Sequence, residues 1–338
     1  SIFRSKGSAA ILMNVNNGEI ISMVSYPDFD LNKRETVSDV NFINRATKGV
    51  YELGSVFKTF TVAAGLEESL IERDTEFLNL EKQLKCGKNI ISEYDKKIPS
   101  NLTVEQILIR SGNIGSVRIG QKLEIDKLKL FLKKIGVLNK IDFDIEEIGE
   151  PIPFRWGKCK LATVSFGHGI TTTPLQLAKG YAIISNGGYE IKPSLIKKTL
   201  KNNQYKKRII KEGVSKQINE ILRKIVTTKE GTAGFANIKG YEVGGKTGTA
   251  EKAIFGGYTR KAKVNTFVSI FPTSKPKYVM VVLLDEPKTS KDYIYKYKNK
   301  SGSYKGTPFN TAGWTSVEVA GKIIQRIGPI LATKYIEN

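Results

Sequence analysis

Val264-Asn-Thr-Phe-Val-Ser-Ile-Phe271 and Tyr278-Val-Met-Val-Val-Leu-Leu284, joined by Pro272-Thr-Ser-Lys-Pro-Lys277, decide the architecture of this chain. Both runs are rich in β-branched and aromatic residues and read as strands. The six residues between them are too few for a parallel crossover, which takes roughly a dozen, so the strands are antiparallel neighbours. A third strand is predicted over residues 241–250, beside this pair. Near the start, residues 8–25 alternate around Asn16-Asn17-Gly18 and predict a β-hairpin. Helices are predicted from Ser55 through Leu66; from the capping box of Thr103 and Gln106, through Ile107, Leu108 and Ile109 and ending near Ser111-Gly112-Asn113; from Pro174 to the stop at Asn186-Gly187-Gly188; and over residues 317–327. Residues 291–305, biased toward Lys and Tyr, read as an exposed loop.

With 338 residues, 40% hydrophobic and 26% charged, the chain has the composition of a folded globular protein and length enough for a large core. The formal charge of +21 would suit a nucleic acid, but only 11 of the 54 basic residues are Arg. A Lys-rich solvated surface is the simpler reading, and no nucleic-acid partner is expected. The longest apolar run, residues 278–284, falls far short of the roughly 20 residues that span a bilayer. The first residues, Ser-Ile-Phe-Arg, have neither an initiator Met nor the regions of a signal peptide, and the chain reads as a segment of a longer protein. The single histidine, His168, removes most His-based metal sites and most two-imidazole chemistry, and no metal or cofactor is expected. Cys86 and Cys159 permit one disulfide or two buried thiols.

Three short motifs follow in the order expected of a serine enzyme that uses lysine in place of histidine: Ser55-Val-Phe-Lys58, Ser111-Gly-Asn113 and Lys246-Thr-Gly-Thr249. A serine hydroxyl is a poor nucleophile until a base removes its proton, and a lysine serves only if its pKa falls toward neutrality. At i and i+3 in a first helical turn, Ser55 and Lys58 share a face. The helix N-terminus, apolar neighbours and the like charge of Lys246 would all disfavour the Lys58 ammonium. Ser111 is then a proton relay and Asn113 a ligand for a substrate backbone. Lys246, Thr247 and Thr249 form a carboxylate pocket, Gly248 leaves room for a peptide at the strand, and the N–H groups of Ser55 and Thr249 form an oxyanion hole. Taken singly the first two motifs have a bland reading: a surface lysine on an amphipathic helix, and a helix C-cap followed by an Asn turn. Decoys exist at Ser194-Leu-Ile-Lys197, Ser274-Lys-Pro-Lys277 and Lys300-Ser-Gly-Ser303, none in the same helix or strand context.

A rival reading shares the third motif. Residues 240–247 satisfy the Walker A spacing, and residues 279–286 look like a Walker B strand. A phosphate loop must run from a buried strand into a helix, among parallel strands. Here Gly248 and Gly256-Gly257 interrupt any following helix, and the strand before Asp285 is antiparallel to its neighbour. His168, bracketed by Gly167 and Gly169 with no nucleophile elbow beside it, reads as a locally hydrogen-bonded side chain in a tight turn.

Glu52-Leu-Gly-Ser-Val-Phe-Lys58, Ser111-Gly-Asn-Ile-Gly115, residues 166–178 (Phe-Gly-His-Gly-Ile-Thr-Thr-Thr-Pro-Leu-Gln-Leu-Ala) and Gly244-Gly-Lys-Thr-Gly-Thr-Ala-Glu-Lys252 together resemble the transpeptidase domain of class B penicillin-binding proteins. Asn44-Arg-Ala-Thr and Thr311-Ala-Gly-Trp314 tilt the resemblance toward the division-specific, FtsI-like branch. It runs from about residue 7 to residue 327. It implies an α+β fold like that of the serine β-lactamases: one transpeptidase domain over residues 1–338, with an antiparallel sheet flanked by helices and an adjoining helical subdomain at about 67–180. It implies Ser55 as nucleophile, Lys58 as base, Ser111 as relay and Asn113 as substrate ligand, with Lys246, Thr247, Gly248 and Thr249 on the carboxylate and oxyanion side. The substrate would be a peptidoglycan stem peptide ending in D-Ala-D-Ala, and β-lactams would acylate Ser55. The family also implies an N-terminal membrane anchor and a pedestal domain absent from this chain, a periplasmic position, and glycan-polymerase and division partners. The motifs do not separate a transpeptidase from a D-Ala-D-Ala carboxypeptidase, a slow β-lactamase or a catalytically idle scaffold. The choice of motif is testable: Ser55→Ala should abolish covalent labelling by a penicillin, Lys246→Ala should slow it severely, and Lys300→Ala should leave it near normal. Labelling lost with Lys300→Ala but kept with Lys246→Ala would reverse the assignment.

Overall fold

The strands on either side of residues 272–277 pair antiparallel, from Val264 opposite Asp285 to Phe271 opposite Tyr278, as their short connection requires. The computed structural model describes residues 2–30, 32, 42–87, 89–197, 207–254, 257–296 and 301–336. In chain order come β1 (Gly7–Asn14), β2 (Ile20–Tyr26), α1 (Lys58–Glu67), β3 (Gln83–Cys86), β4 (Asn89–Ser92), α2 (Val104–Ile109), α3 (Asn113–Lys134) and α4 (Lys158–Ser165). They are followed by α5 (Pro174–Ser185), α6 (Glu212–Thr227), β5 (Gly244–Ile254), β6 (Gly257–Phe271), β7 (Tyr278–Asp285), β8 (Ile294–Lys296), β9 (Ser303–Lys305) and α7 (Ser316–Ile336). The main sheet has five strands in the order β2-β1-β7-β6-β5, and every pair is antiparallel. The fold is therefore mixed α and β.

All eight residues of β7 are buried, which requires cover on both faces of the sheet. Helix α5 packs against β1 and β7, α7 against β6 and β7, and α6 against β5. Helices α1, α2 and α3 pack on one another at the β5 end. The predicted capping box of Thr103 with Gln106 starts α2, and the helix predicted from Pro174 begins with a second, unpredicted box, Thr173 with Gln176.

Several elements differ from expectation. The helix predicted from Ser55 enters through a 3-10 turn, Gly54–Phe57, and becomes α-helical at Lys58. Ser111-Gly112-Asn113 ends one helix and starts another: α2 stops at Ile109, and Gly112 is the N-cap of α3. Helix α3, with non-helical angles at Glu124, and helix α6, with Val214, Ile218, Ile221, Leu222 and Ile225 buried on one face, lie outside the predicted elements. The closing helix continues past Pro329 to Ile336. Residues 291–305 are not simply an exposed loop, because β8 pairs with β9 and Tyr295 is fully buried, its hydroxyl donating to the Trp314 carbonyl. Lys300 lies outside the described residues. Of the two readings of the cysteines, the disulfide Cys86–Cys159 forms, with Cα atoms 5.4 Å apart. Among the described residues no helix is long and apolar enough to cross a membrane.

Tyr181 ties α5 to the entry of α1. Its buried hydroxyl donates to the Val56 carbonyl at 2.7 Å and accepts from Thr59 Oγ1 at 2.8 Å. Tyr181→Phe strands a buried carbonyl and hydroxyl, and equilibrium urea unfolding should show a loss of about 1–3 kcal/mol. A midpoint equal to that of the parent chain would mean that this tie contributes nothing.

Candidate active site

The turn that carries Ser55 is bent by Gly54, whose φ of +63° favours glycine. A side chain there would meet the Thr249 carbonyl at 2.8 Å, and one at Gly248 would come within 2.1 Å of the Leu53 carbonyl. These two glycines let the backbone of β5 press directly against the turn. Strand β5 is the edge of the sheet, so its outer side faces Ser55.

Lys58, the first α-helical residue, and Lys246, on β5, are both fully buried. Their amines meet at Ser111. Lys58 Nζ donates to the Ser111 carbonyl at 2.5 Å, to Asn113 Oδ1 at 2.6 Å and to Ser111 Oγ at 3.2 Å. Lys246 Nζ donates to Ser111 Oγ at 2.8 Å and to the Thr247 carbonyl at 3.2 Å. Ser111 itself sits at φ +56°, between α2 and α3, which turns its hydroxyl and carbonyl toward the amines. Ser55 is only partly buried, and among the described residues its Oγ makes no hydrogen bond. The expected helical spacing of Ser55 and Lys58 is present, but the direct hydrogen bond between them is not formed.

Burial drives the electrostatics. It lowers the Lys58 pKa to about 7, with the Glu93 carboxylate opposing that shift. Lys246 falls well below the ordinary lysine value, through burial first and the charge of Lys58 second. Two ammonium ions cannot share this dry space, so near neutral pH the pair holds fewer than two protons. The like-charge effect expected on Lys58 is instead seen on Lys246.

Thr247 Oγ1 lies 2.7 Å from Thr232 Oγ1, and Thr249 Oγ1 accepts the Ala312 N–H at 2.9 Å. Both hydroxyls are thus oriented by neighbours that the motif does not contain. Asn113 is gripped from the hairpin β3–β4: its Nδ2 donates to the Ser92 carbonyl at 2.7 Å and its backbone N–H to Glu93 Oε2 at 2.7 Å. No spacing points to Glu93, Thr232 or Ala312, because each reaches the site only through tertiary structure. His168 lies between positive-φ Gly167 and Gly169, its ring stacked with Phe166 and tilted against Tyr258 at 4.5 Å. Its partner is not local: Nδ1 is 3.7 Å from Glu52 Oε2, and Glu52 also accepts from Tyr258 Oη and the Gly169 N–H.

The decoys separate cleanly. Ser194 Oγ donates to Asp144 Oδ2 at 2.8 Å, and Ser274 Oγ is bound to Glu242, both away from the lysine pair. The Walker reading fails on geometry, because Lys246 and Thr247 lie inside an edge strand whose neighbour is antiparallel, and Asp285 is ion-paired with Lys252 at 2.9 Å.

The model of the penicillin binding protein transpeptidase domain family matches residues 8–309. The chain belongs to the penicillin-binding protein transpeptidase family. It is 33% identical over 341 residues to the Caulobacter vibrioides protein named "Probable peptidoglycan D,D-transpeptidase FtsI", covering 98% of this chain and 55% of that protein. It is also 33% identical to the stage V sporulation protein D of Bacillus subtilis, with 83% of this chain and 46% of that protein covered. The chain thus spans about half the length of these curated relatives. Its fold matches the transpeptidase domain of Burkholderia pseudomallei penicillin-binding protein 3 with a TM-score of 0.80 at 24% identity, over 97% of this chain and 89% of that one.

For such a site the Lys58 pKa of about 7 sets a pH dependence, since only the neutral amine takes a proton. Acylation by a β-lactam should rise about tenfold per unit as pH increases toward 7 and level off above it. A stopped-flow rate that stays flat from about pH 5 to about pH 9 would show that Lys58 is not the group that titrates.

Proposed function

We propose that this chain is the cross-linking domain of a peptidoglycan D,D-transpeptidase, acting through an acyl-enzyme on Ser55. The observation that carries the reading is the convergence of two buried lysine amines on the Ser111 hydroxyl, beside a partly exposed serine and an edge strand. Neutral Lys58 takes the Ser55 proton, and Oγ attacks the carbonyl of the penultimate D-Ala of a stem peptide. The N–H groups of Ser55 and Thr249 receive the developing oxyanion. Ser111 passes a proton to the departing nitrogen, and the C–N bond breaks to release the terminal D-Ala. An amine of a neighbouring stem then attacks the ester, loses its proton to the same relay and restores Ser55. Asn113 holds the donor backbone. Lys246, with Thr247 and Thr249, binds the terminal carboxylate, while Gly248, instead of leaving room for the peptide, lets the Ser55 turn sit against the strand. A β-lactam follows the first half of this sequence and stays attached.

A carboxypeptidase or β-lactamase would use water as acceptor, which class A β-lactamases hold with a Glu. Among the described residues Glu93 is engaged by the N–H groups of Asn113 and Ile114, and Glu52, three residues before Ser55, by Gly169 N–H and Tyr258 Oη. That argues against either of them holding a deacylating water in the class A manner. The name of the Caulobacter relative supports a role in septal wall synthesis. The full-length protein is then anchored on the periplasmic side of the inner membrane and works with a glycan polymerase and other division proteins.

Intact mass after incubation with a penicillin, followed by peptide mapping, should give one adduct on the peptide containing Ser55. With a D-Ala-D-Ala stem peptide, added acceptor amine should divert product from hydrolysis to a cross-link. An unmodified folded protein would overturn the acyl-enzyme reading, and an ester lost rapidly to water would favour the hydrolase.

A further inference from the structure

Helix α3 begins without a cap of its own. Its N-cap is Gly112, which has no side chain to accept the free N–H groups of the first turn. The acceptor comes instead from twenty residues upstream: Glu93 Oε2 takes the Asn113 N–H at 2.7 Å and Oε1 takes the Ile114 N–H at 2.9 Å. The preceding residue, Ser92, takes the Asn113 side-chain amide at 2.7 Å. Two consecutive residues of one hairpin therefore fix both the backbone and the side chain of Asn113, whose Oδ1 is left facing Lys58 Nζ at 2.6 Å. The hairpin is fastened at its other end by Cys86–Cys159 to α4, and α4 packs on α3. Position 112 faces this clamp: a Cβ there would lie 3.6 Å from Glu93 Oε1, an ordinary contact. An acidic side chain at position 112 would set a second carboxylate against the first.

We propose that Glu93 is a positioning residue of the Ser55 site: carried on the disulfide-fastened β3–β4 hairpin, its carboxylate clamps the first turn of α3 and holds Asn113 against Lys58. This rests on the acyl-enzyme reading above. A negative charge at a helix N-terminus is favourable in itself, and here it does a second task by facing the buried amines. The charged groups that bear on Lys58 and Lys246 are Glu93, from the hairpin, and the two lysines themselves. Around Glu93 stand Asp95 and Arg110, which flank Tyr94. Glu93 opposes burial at Lys58, so its removal makes the ammonium less stable and the free base available at lower pH.

The test measures β-lactam acylation of the full chain against pH for the parent, Glu93→Gln, Glu93→Asp, Asn113→Ala and the Glu93→Gln/Asn113→Ala double variant, with thermal melts alongside. Glu93→Gln should acylate about tenfold more slowly, and its acidic limb should move to lower pH by up to about one unit. Glu93→Asp, which keeps the charge, should hold the limb in place and recover part of the rate. The double variant should be no slower than Asn113→Ala alone, since the clamp acts through Asn113. A fold defect alone would not shift the limb. If Glu93→Gln does not fold, replacing Cys86 and Cys159 by serine tests the same hairpin, with a several-fold slower acylation expected that vanishes in the Asn113→Ala background. An unchanged rate and limb in Glu93→Gln, or effects that multiply in the double variant, would overturn the proposal while leaving the acyl-enzyme reading intact. A parent chain that takes no adduct would remove that reading and this inference together.

Discussion

Two lysine amines held without solvent on one serine hydroxyl are the constraint around which this structure is arranged. Taking an ammonium ion out of water costs several kcal/mol even after relaxation, and a second of the same sign beside it costs more. The protein answers in two ways. It lets the pair lose protons, which is why Lys246 and Lys58 both fall below the ordinary lysine range. It also supplies acceptors for the N–H bonds that remain: two carbonyls, the Asn113 amide oxygen and the Ser111 hydroxyl. Burial thus outweighs those acceptors and the Glu93 carboxylate, and with a pKa of about 7 Lys58 is in part a free amine near neutral pH.

Holding such a cluster takes rigid walls from several directions. Lys58 comes from α1, fixed to α5 by the Tyr181 hydroxyl. Lys246 comes from a strand paired along its length with β6, and Ser111 from a left-handed link between two helices. Asn113 comes from a helix capped by the Glu93 hairpin. The ordering of β5 against the Ser55 turn leaves no room for a side chain at Gly54 or Gly248, so the sheet edge and the turn are set largely by backbone contact. Backbone contact of that kind transmits position with little slack, which is what preorganised chemistry requires.

Features with a local signal are legible in the amino-acid sequence alone. The antiparallel pair follows from a connection too short for a crossover, the start of α2 from its capping box and that of α5 from Pro174, and the three motifs that meet at Ser111 from their helix and strand context. The losses have particular causes. Helix α6 carries an apolar face at helical period over Val214, Ile218, Ile221 and Ile225, a signal that is present in the sequence but diluted by the charged residues between those positions. Helix α3 is hidden because Ser111-Gly112-Asn113 resembles a terminus, and it is one, of two helices at once. Residues 291–305 look like a solvated loop because Lys and Tyr alternate there, yet Tyr295 is the buried member of a short hairpin. Thr232, Ala312 and Glu93 have no local signal at all, since each acquires its role only when distant segments meet.

The two edges of the sheet show how topology separates chemistries that the motif alone confuses. An unpaired edge invites strand addition, and proteins usually block it. At the β2 edge Ser25 Oγ donates to the Ile43 carbonyl and accepts the Arg45 N–H, so the chain itself covers part of that side. At the β5 edge the cover is the Ser55 turn, which meets the strand at Gly248. A lysine followed by threonine in a phosphate loop would offer its amine from a helix N-terminus to a compact anion. The same pair on an edge strand, with its amine buried against Ser111, presents an extended row of backbone groups instead. That geometry suits an extended peptide laid alongside β5, and on the proposed reading it explains why the strand that binds the substrate also carries the lysine that reads its carboxylate.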